Sequence, residues 1–432
     1  MISRRGFLKQ AAAAAGGAAI PTIIPAGLLG RSHPNSRIQI GCVGVGWQGG
    51  GNMDGFLHQP DTRVVAVCDV DLNHLHGARD RVNRHYGDKS CATFTDYREL
   101  LAREDIDAVC LSLPDHWHGI IAVAAAVAGK DIYGEKPLAY NVTEGRAIVD
   151  AVERNGVIWQ TGSWQRSQGN FRYGCELVRN GCIGNIQRIE VGLPSGHADF
   201  ANNKDLVDPV DPPGHLDYNA WLGPAPFEPY CPARVHKNWR WNLDYGGGQL
   251  TDWIGHHNDI AHWGMDFDNQ AIESIEGEGE YPAEGLWNTA RRYRLEATYP
   301  GGLKSIIAGG HGDIAGGTRW IGDAGWVRVD RDNTLEASDA KILKIRFKPG
   351  DVHLYRSPGH IREFLDSVKT RRETLTPVRT AYYSALPGYL GQIAMLTGRK
   401  IRWNDQQHRI VDDPAAERLL SRSMRSPYQL YV

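Results

Sequence analysis

An apolar run ending in glycines, RIQIGCVGVGWQGG (37–50), constrains this chain more than any other stretch. It puts a strand directly ahead of Gly44-Val45-Gly46-Trp47-Gln48-Gly49, a G-x-G-x-x-G loop that opens a plausible helix. Asp69 closes the next Val-rich run, RVVAVCD, twenty residues after Gly49. This context is a dinucleotide fingerprint. Missing Cβ atoms let the backbone approach a pyrophosphate, and the helix N-terminus offers unpaired N–H groups. Asp69 can accept hydrogen bonds from an adenosine ribose. Its charge repels a 2′-phosphate and no Arg directly follows it, which favours NAD over NADP.

Strand and helix patterns alternate from Arg37 to about Gly162, which predicts a parallel sheet covered by helices on both faces. Beyond that point come a helix at 170–180, a strand at 186–193 and a Pro-, Gly- and aromatic-rich excursion at 195–245. Short strand-like runs follow around 271–280, 291–299, 303–308, 326–330 and 343–348, with helices at 359–370 and 380–397. The expected fold is α/β: an N-terminal Rossmann domain (35–162) and a C-terminal α/β domain (163–432) with a large, mostly antiparallel open sheet. The C-terminal helices are candidates to pack back on the first domain. Such a sheet usually needs covering, so a homodimer or homotetramer is expected.

Residues 1–34 are read apart from the fold. Arg4 and Arg5 precede Phe7-Leu8-Lys9 and an Ala-rich run broken by Gly16, Gly17, Pro21 and Pro25. That is the form of a twin-arginine export signal and a poor membrane span, so a periplasmic location is expected. The net charge of −2 gives no reason to expect a nucleic-acid or anionic-membrane partner. Seven scattered cysteines, with no C-x-x-C pair, favour free thiols and argue against zinc.

Two further stretches carry chemistry. GEKPLAY (134–140) places Glu135, Lys136 and Pro137 at the carboxyl end of a strand, where open parallel sheets bind ligands. Lys136 there can stabilise a developing oxyanion, or be an ordinary turn lysine. In GGGQLTDWIGHHNDIAHW (246–263), a helix puts Asp252 and His256 on one face and His256 three residues from Asp259. A carboxylate beside an imidazole orients it and favours its charged form. The same stretch also fits a polar interface helix. Its histidines are off the usual metal spacing, so no metal is expected. In the excursion, Tyr218, Trp221, Trp239 and Trp241 offer flat faces, and Arg234, Lys237, Arg240 and Asn242 offer donors. Such surfaces suit a sugar, or aromatic packing between domains or subunits. Gln165 and Arg166, just after a strand, are further candidates for substrate.

With the fingerprint and Asp69, LPDHWH (113–118), EKP (135–137) and GGGQLTDWIGHHND (246–259) occur in the order found in the glucose–fructose oxidoreductase / inositol dehydrogenase (Gfo/Idh/MocA) family, which the chain resembles over 37 to about 400. The twin-arginine start and WLGPAP (221–226) resemble its exported branch. The resemblance implies Lys136 near the nicotinamide and the reacting hydroxyl, His256 as acid–base, Asp252 as its partner, and Pro114 and His118 lining the cofactor. Ile254 stands where the family usually has glycine, with Gly255 one later. It further implies an NAD-dependent oxidoreductase acting on a sugar or glycoside hydroxyl. The alternatives are a glycosidase working by oxidation, elimination, hydration and reduction, and a protein that binds NAD and sugar without turnover. Export adds a condition. With an on-rate of roughly 10⁶ M⁻¹s⁻¹ and a Kd near 1 nM, a preloaded dinucleotide leaves in roughly a quarter of an hour. Tighter binding or a covering segment, and internal recycling of the redox state, are therefore expected.

Overall fold

The computed structural model describes residues 37–430; the twin-arginine segment lies outside them. The first sheet has six parallel strands in the order β3-β2-β1-β4-β5-β6. They are β1 Ile38–Val43, β2 Thr62–Cys68, β3 Ala92–Phe94, β4 Ala108–Leu111, β5 Asp131–Gly134 and β6 Trp159–Thr161. The order reverses between β1 and β4, which opens a crevice beyond their carboxyl ends. The connecting helices are α1 Trp47–Leu57, α2 Leu72–Tyr86, α3 Tyr97–Leu101, α4 Asp115–Val127 and α5 Val142–Asn155. Their caps follow the sequence: Asp71 accepts from the N–H of Asn73, and Asn141 from that of Glu144. Gly156, left-handed at φ 60°, ends α5.

The second sheet has nine strands, antiparallel except for one parallel pair, β7 (Ile186–Leu193) with β10 (Lys304–Gly309). Around that pair lie β8 (Ser274–Glu280), β9 (Arg292–Thr298), β11 (Gly317–Gly322), β12 (Gly325–Val329) and β13 (Leu335–Ala337), with β14 (Ile401–Asn404) and β15 (Arg409–Ile410) beyond β8. Along β9, Tyr293, Leu295 and Ala297 are buried and alternate with more exposed polar residues, so one face carries the core.

On that face lies a buried helix, which we number after α6 (Gly169–Arg179) and α7 (Tyr218–Leu222) as α8 (Gly248–Met265). Trp320 of β11 directs its indole N–H toward the Ala261 carbonyl of α8. Two helices from the C-terminal part of the chain pack against the first domain. Phe364 of α9 (His360–Thr370) packs edge-on against Phe56 and Tyr133. Tyr389 of α10 (Val378–Thr397) donates to the Ala139 carbonyl.

The strand expected at 343–348 does not form. Ile342–Lys344 is a 3₁₀ turn, and the carbonyls of Leu343 and Ile345 accept from the Tyr173 hydroxyl instead of a neighbouring strand. The alternation of Ile345 and Phe347 reflects packing against α6, where Phe347 meets the Tyr173 ring. Strand β11, short and bounded by glycines, escaped the sequence reading. All seven cysteines are free thiols.

Candidate active site

A cavity of about 820 Å³ occupies the crevice beyond the first sheet. Gly44, Gly46, Trp47, Gln48, Gly49 and Asp69 line one end. Bare backbone is a steric requirement here. A Cβ at Gly49 would lie 1.9 Å from the Gly44 carbonyl oxygen, and one at Gly44 (φ +77°) would lie 2.2 Å from that of Ser112. Gly46 caps α1 with no side chain to take its first N–H groups, which leaves the helix start suited to phosphate. Asp69 accepts from the backbone of Val45 (2.9 Å) and Asp71 (3.0 Å), which fixes its carboxylate at the end of β2. These residues fit a dinucleotide.

Toward the other end the cavity is lined by Pro114, Glu135, Lys136, Arg240, Asp252 and His256. The Lys136 ammonium donates to the Asp252 carboxylate and to the Asp252 carbonyl, each at 2.9 Å. Arg240 reaches the same carboxylate at 3.1 Å. Burial pushes the Asp252 carboxyl up, but Lys136 and Arg240 outweigh it and hold it at about 2. Glu135 accepts from Asn52 at 2.8 Å, and burial raises its carboxyl. Gly255 explains the displaced glycine of α8. A Cβ there would stand 3.2 Å from Lys136 Cβ, whereas Ile254 faces Gly388 of α10 and is fully buried.

His256 departs from expectation. Among the described residues no hydrogen bond or ion pair joins it to Asp252 or Asp259, and its Nδ1 is buried without a partner. Burial, then the charges of Lys136 and Arg331, hold its pKa well below 6.5, so the ring is a neutral base rather than a charged acid. The carboxylates at its two helical spacings are taken: Asp252 by the two cations, Asp259 by Arg166.

Several expected site residues lie elsewhere. His118 is buried below the cavity, its ring nitrogens 2.7 and 2.9 Å from the carbonyls of Pro137 and Leu113. Arg166 is buried between Asp259 and Asp268, both at 2.7 Å, and neighbouring Gln165 meets His257. Tyr218 donates to the Glu228 carbonyl, and Arg234 lies near Glu228 and Tyr245. These side chains were polar or aromatic residues near strand ends and in the excursion, but folding spends them on internal partners. Of the four aromatic residues named in the excursion, Trp221 and Trp239 line the cavity and Tyr218 and Trp241 do not; Phe200 also lines it.

The sequence reading missed Asp115, Trp253 and Arg331, which also line the cavity. Asp115 was legible inside LPDHWH; burial first, then Asp252, pushes its carboxyl well above the usual range. Arg331, its guanidinium 4.2 Å from the Trp253 ring centre, comes from the turn after β12 and had no signal.

Residues 38–163 match the NAD-binding Rossmann fold of the Gfo/Idh/MocA oxidoreductases, and residues 167–430 match their C-terminal alpha/beta domain. The chain belongs to the Gfo/Idh/MocA family. Its first domain is the family's NAD-binding Rossmann fold. Among curated members it is similar to a glycosyl hydrolase family 109 protein of Shewanella baltica, 30% identical over 210 residues, or 43% of this chain and 44% of that one. A namesake from Shewanella pealeana is 33% identical over 171 residues, 35% and 37% of the two chains. These matches span less than half the length of the curated relatives. Solved structures of similar fold are matched over more of their length. GenD2 from gentamicin A biosynthesis, in complex with NAD, superposes with a TM-score of 0.62 at 18% identity, over 86% of this chain and 98% of that one. The WlbA dehydrogenase of Bordetella pertussis, with NADH and UDP-GlcNAcA, gives 0.62 at 18%, over 85% and 99%. The scyllo-inositol dehydrogenase of Lactobacillus casei, with NAD(H) and scyllo-inositol, gives 0.59 at 16%, over 85% and 99%.

Proposed function

We propose that this chain oxidises a hydroxyl of a sugar or glycoside with an NAD that stays bound between turnovers. The observation that carries the reading is the convergence of the Lys136 ammonium and the neutral His256 on the cavity that begins at the glycine loop. Bound NAD supplies a hydride acceptor. His256 takes the hydroxyl proton, Lys136 stabilises the alkoxide, and Asp252 holds Lys136 in place while Arg240 shares its charge. The carbon loses a hydride and becomes a ketone. A second carbonyl compound as final acceptor would close the redox balance without exchange of the cofactor. Trp239 and Trp221 supply flat faces for a pyranose, and Arg240 and Lys237 supply donors. Export to the periplasm by the twin-arginine route is part of the proposal, supported by residues 3–29 of the sequence.

A second reading draws on the name of the curated relatives. In a glycosidase the ketone would acidify the neighbouring C–H, the aglycone would leave by elimination, water would add, and the same hydride would return. Retained cofactor suits both. The test begins with denatured protein, whose supernatant should contain nicotinamide; an empty supernatant removes retention. Aryl glycosides then separate the readings. Ketosugar formation matched by reduction of an acceptor sugar supports the oxidoreductase. Chromophore release with no net NADH supports the glycosidase. Silence in both, with sugar still bound, refutes catalysis.

A further inference from the structure

One cluster of ligating side chains lines the same cavity beside Asp69 but takes no part in the proton and hydride transfer proposed above. Asp71, the cap of α2, and His74 in its first turn meet His236, which comes from the excursion far along the chain. One ligand atom from each of the three lies within 4.8 Å of the others. Asp71 divides its carboxylate. Oδ1 accepts from the N–H groups of Asn73 and His74, while Oδ2 stands 3.3 Å from His236 Nε2 and 3.7 Å from His215 Nε2. The rings of His74 and His236 meet edge to face at 5.0 Å. A tetrahedral zinc ion with bonds of about 2.0–2.1 Å sets its ligand atoms about 3.3 Å apart. The Asp71–His236 pair is already at that spacing, and the rest of the trio needs to close by up to about 1.5 Å.

The backbone also points to a built arrangement. His236 sits at φ +53°, an uncommon conformation for a residue other than glycine. The excursion is locked to the first sheet beside it: Leu72 donates to the His215 carbonyl at 2.8 Å, and Asp217 donates to that of Val70 at 3.0 Å. Asp71 and His74, at the start of α2, thus face His215 and His236 of the excursion.

We propose that Asp71, His74 and His236, with His215 as a fourth ligand within reach, bind one divalent transition ion of the zinc class. Two or three imidazoles and one carboxylate are a donor set that suits zinc, cobalt or nickel better than magnesium or calcium. The ion clamps residues 215–236 onto α2, next to Asp69. Asp69 supports the site from behind, its Oδ2 3.7 Å from His74 Nδ1. Two chain segments from distant parts of the sequence, already joined by an antiparallel bridge between Asp71 and Leu216, become cross-linked. Given the dinucleotide reading, on which this consequence alone rests, the clamp slows release of NAD.

The test uses the full chain as purified, stripped with a chelator and titrated with Zn²⁺ by calorimetry and with Co²⁺ by visible absorption. One equivalent per chain is expected, with the intense visible bands of a tetrahedral cobalt site. His236→Ala and the milder His236→Gln should each weaken Zn²⁺ binding at least tenfold, while His311→Ala, on a distant loop, leaves it unchanged. Thermal melts in chelator check that the variants fold. Absence of saturable binding overturns the site, as does unchanged affinity in both folded His236 variants. Nicotinamide content is measured separately on the same samples, so protein that binds Zn²⁺ but holds no NAD would refute retention and leave the metal site standing. Protein that holds NAD but binds no Zn²⁺ would do the reverse.

Discussion

Replacing Lys136 by Met removes a charge while keeping much of the side chain's bulk, and the structure sets the size of the effect. The ammonium lies 2.9 Å from Asp252 Oδ1, a gross attraction of about 6 kcal/mol at an effective dielectric of 20. Desolvating both groups offsets most of that, and Arg240 still reaches the carboxylate at 3.1 Å afterwards. The stability cost should therefore be about 1–3 kcal/mol, below the 3–5 expected when a buried charge is left without any partner. The chemical cost should be larger in effect. Losing an electrostatic or acid–base group lowers turnover at least about 100-fold, or about 2.7 kcal/mol of transition-state stabilisation. The glycine loop does not contact the replaced ammonium, so bound nicotinamide should stay near wild-type content. Three readings on one preparation decide the matter: thermal midpoint, nicotinamide released on denaturation, and single-turnover rate with a sugar substrate. A variant that keeps its cofactor and its rate would remove Lys136 from the chemistry. One that loses cofactor and rate together would make it a binding residue.

Gly49→Ala puts a methyl 1.9 Å from the Gly44 carbonyl oxygen, so the loop must shift by more than about 1 Å; released nicotinamide should fall to about a tenth of wild type or less, and normal content would refute the assigned pyrophosphate position. Because the His256 pKa is held well below 6.5, the acid limb of the rate–pH profile should lie below 6.5, and a limb at or above 6.5 would remove His256 as the base. The same depression carries a stability sign: the unfolded ring binds its proton first, so its contribution destabilises the fold as pH falls below 6.5. Arg166→Met leaves Asp259 and Asp268 facing each other without their shared cation and should cost about 3–5 kcal/mol in a urea melt; a changed KM for sugar with unchanged stability would return Arg166 to the substrate site.

What the sequence made legible was local. The glycine loop, Asp69 and the strand-end Lys136 lie within motifs whose geometry follows from their own residues, and the structure brings them to one cavity. A helix from about Leu250 onward was legible too, and with it the shared face of Asp252 and His256. What could not be read was which partner each charge would choose. Asp252 pairs across 116 residues with Lys136, and Arg166 across 93 with Asp259. Such choices depend on how β6, α8 and the excursion meet. Arg331 and His236 were invisible for the same reason: each sits in a turn whose sequence is ordinary and whose neighbours are supplied by distant segments.

Arg240 belongs to two neighbourhoods at once. Its guanidinium lies 5.4 Å from the ring centre of Trp47 in the glycine loop, and its Nε holds Asp252 beneath the reacting groups. Exchanging this region between homologues to alter substrate choice would therefore also alter how long the dinucleotide resides. Selection, natural or in the laboratory, would see the two traits as one, and a library that varied position 240 alone should yield retention and preference in correlated pairs.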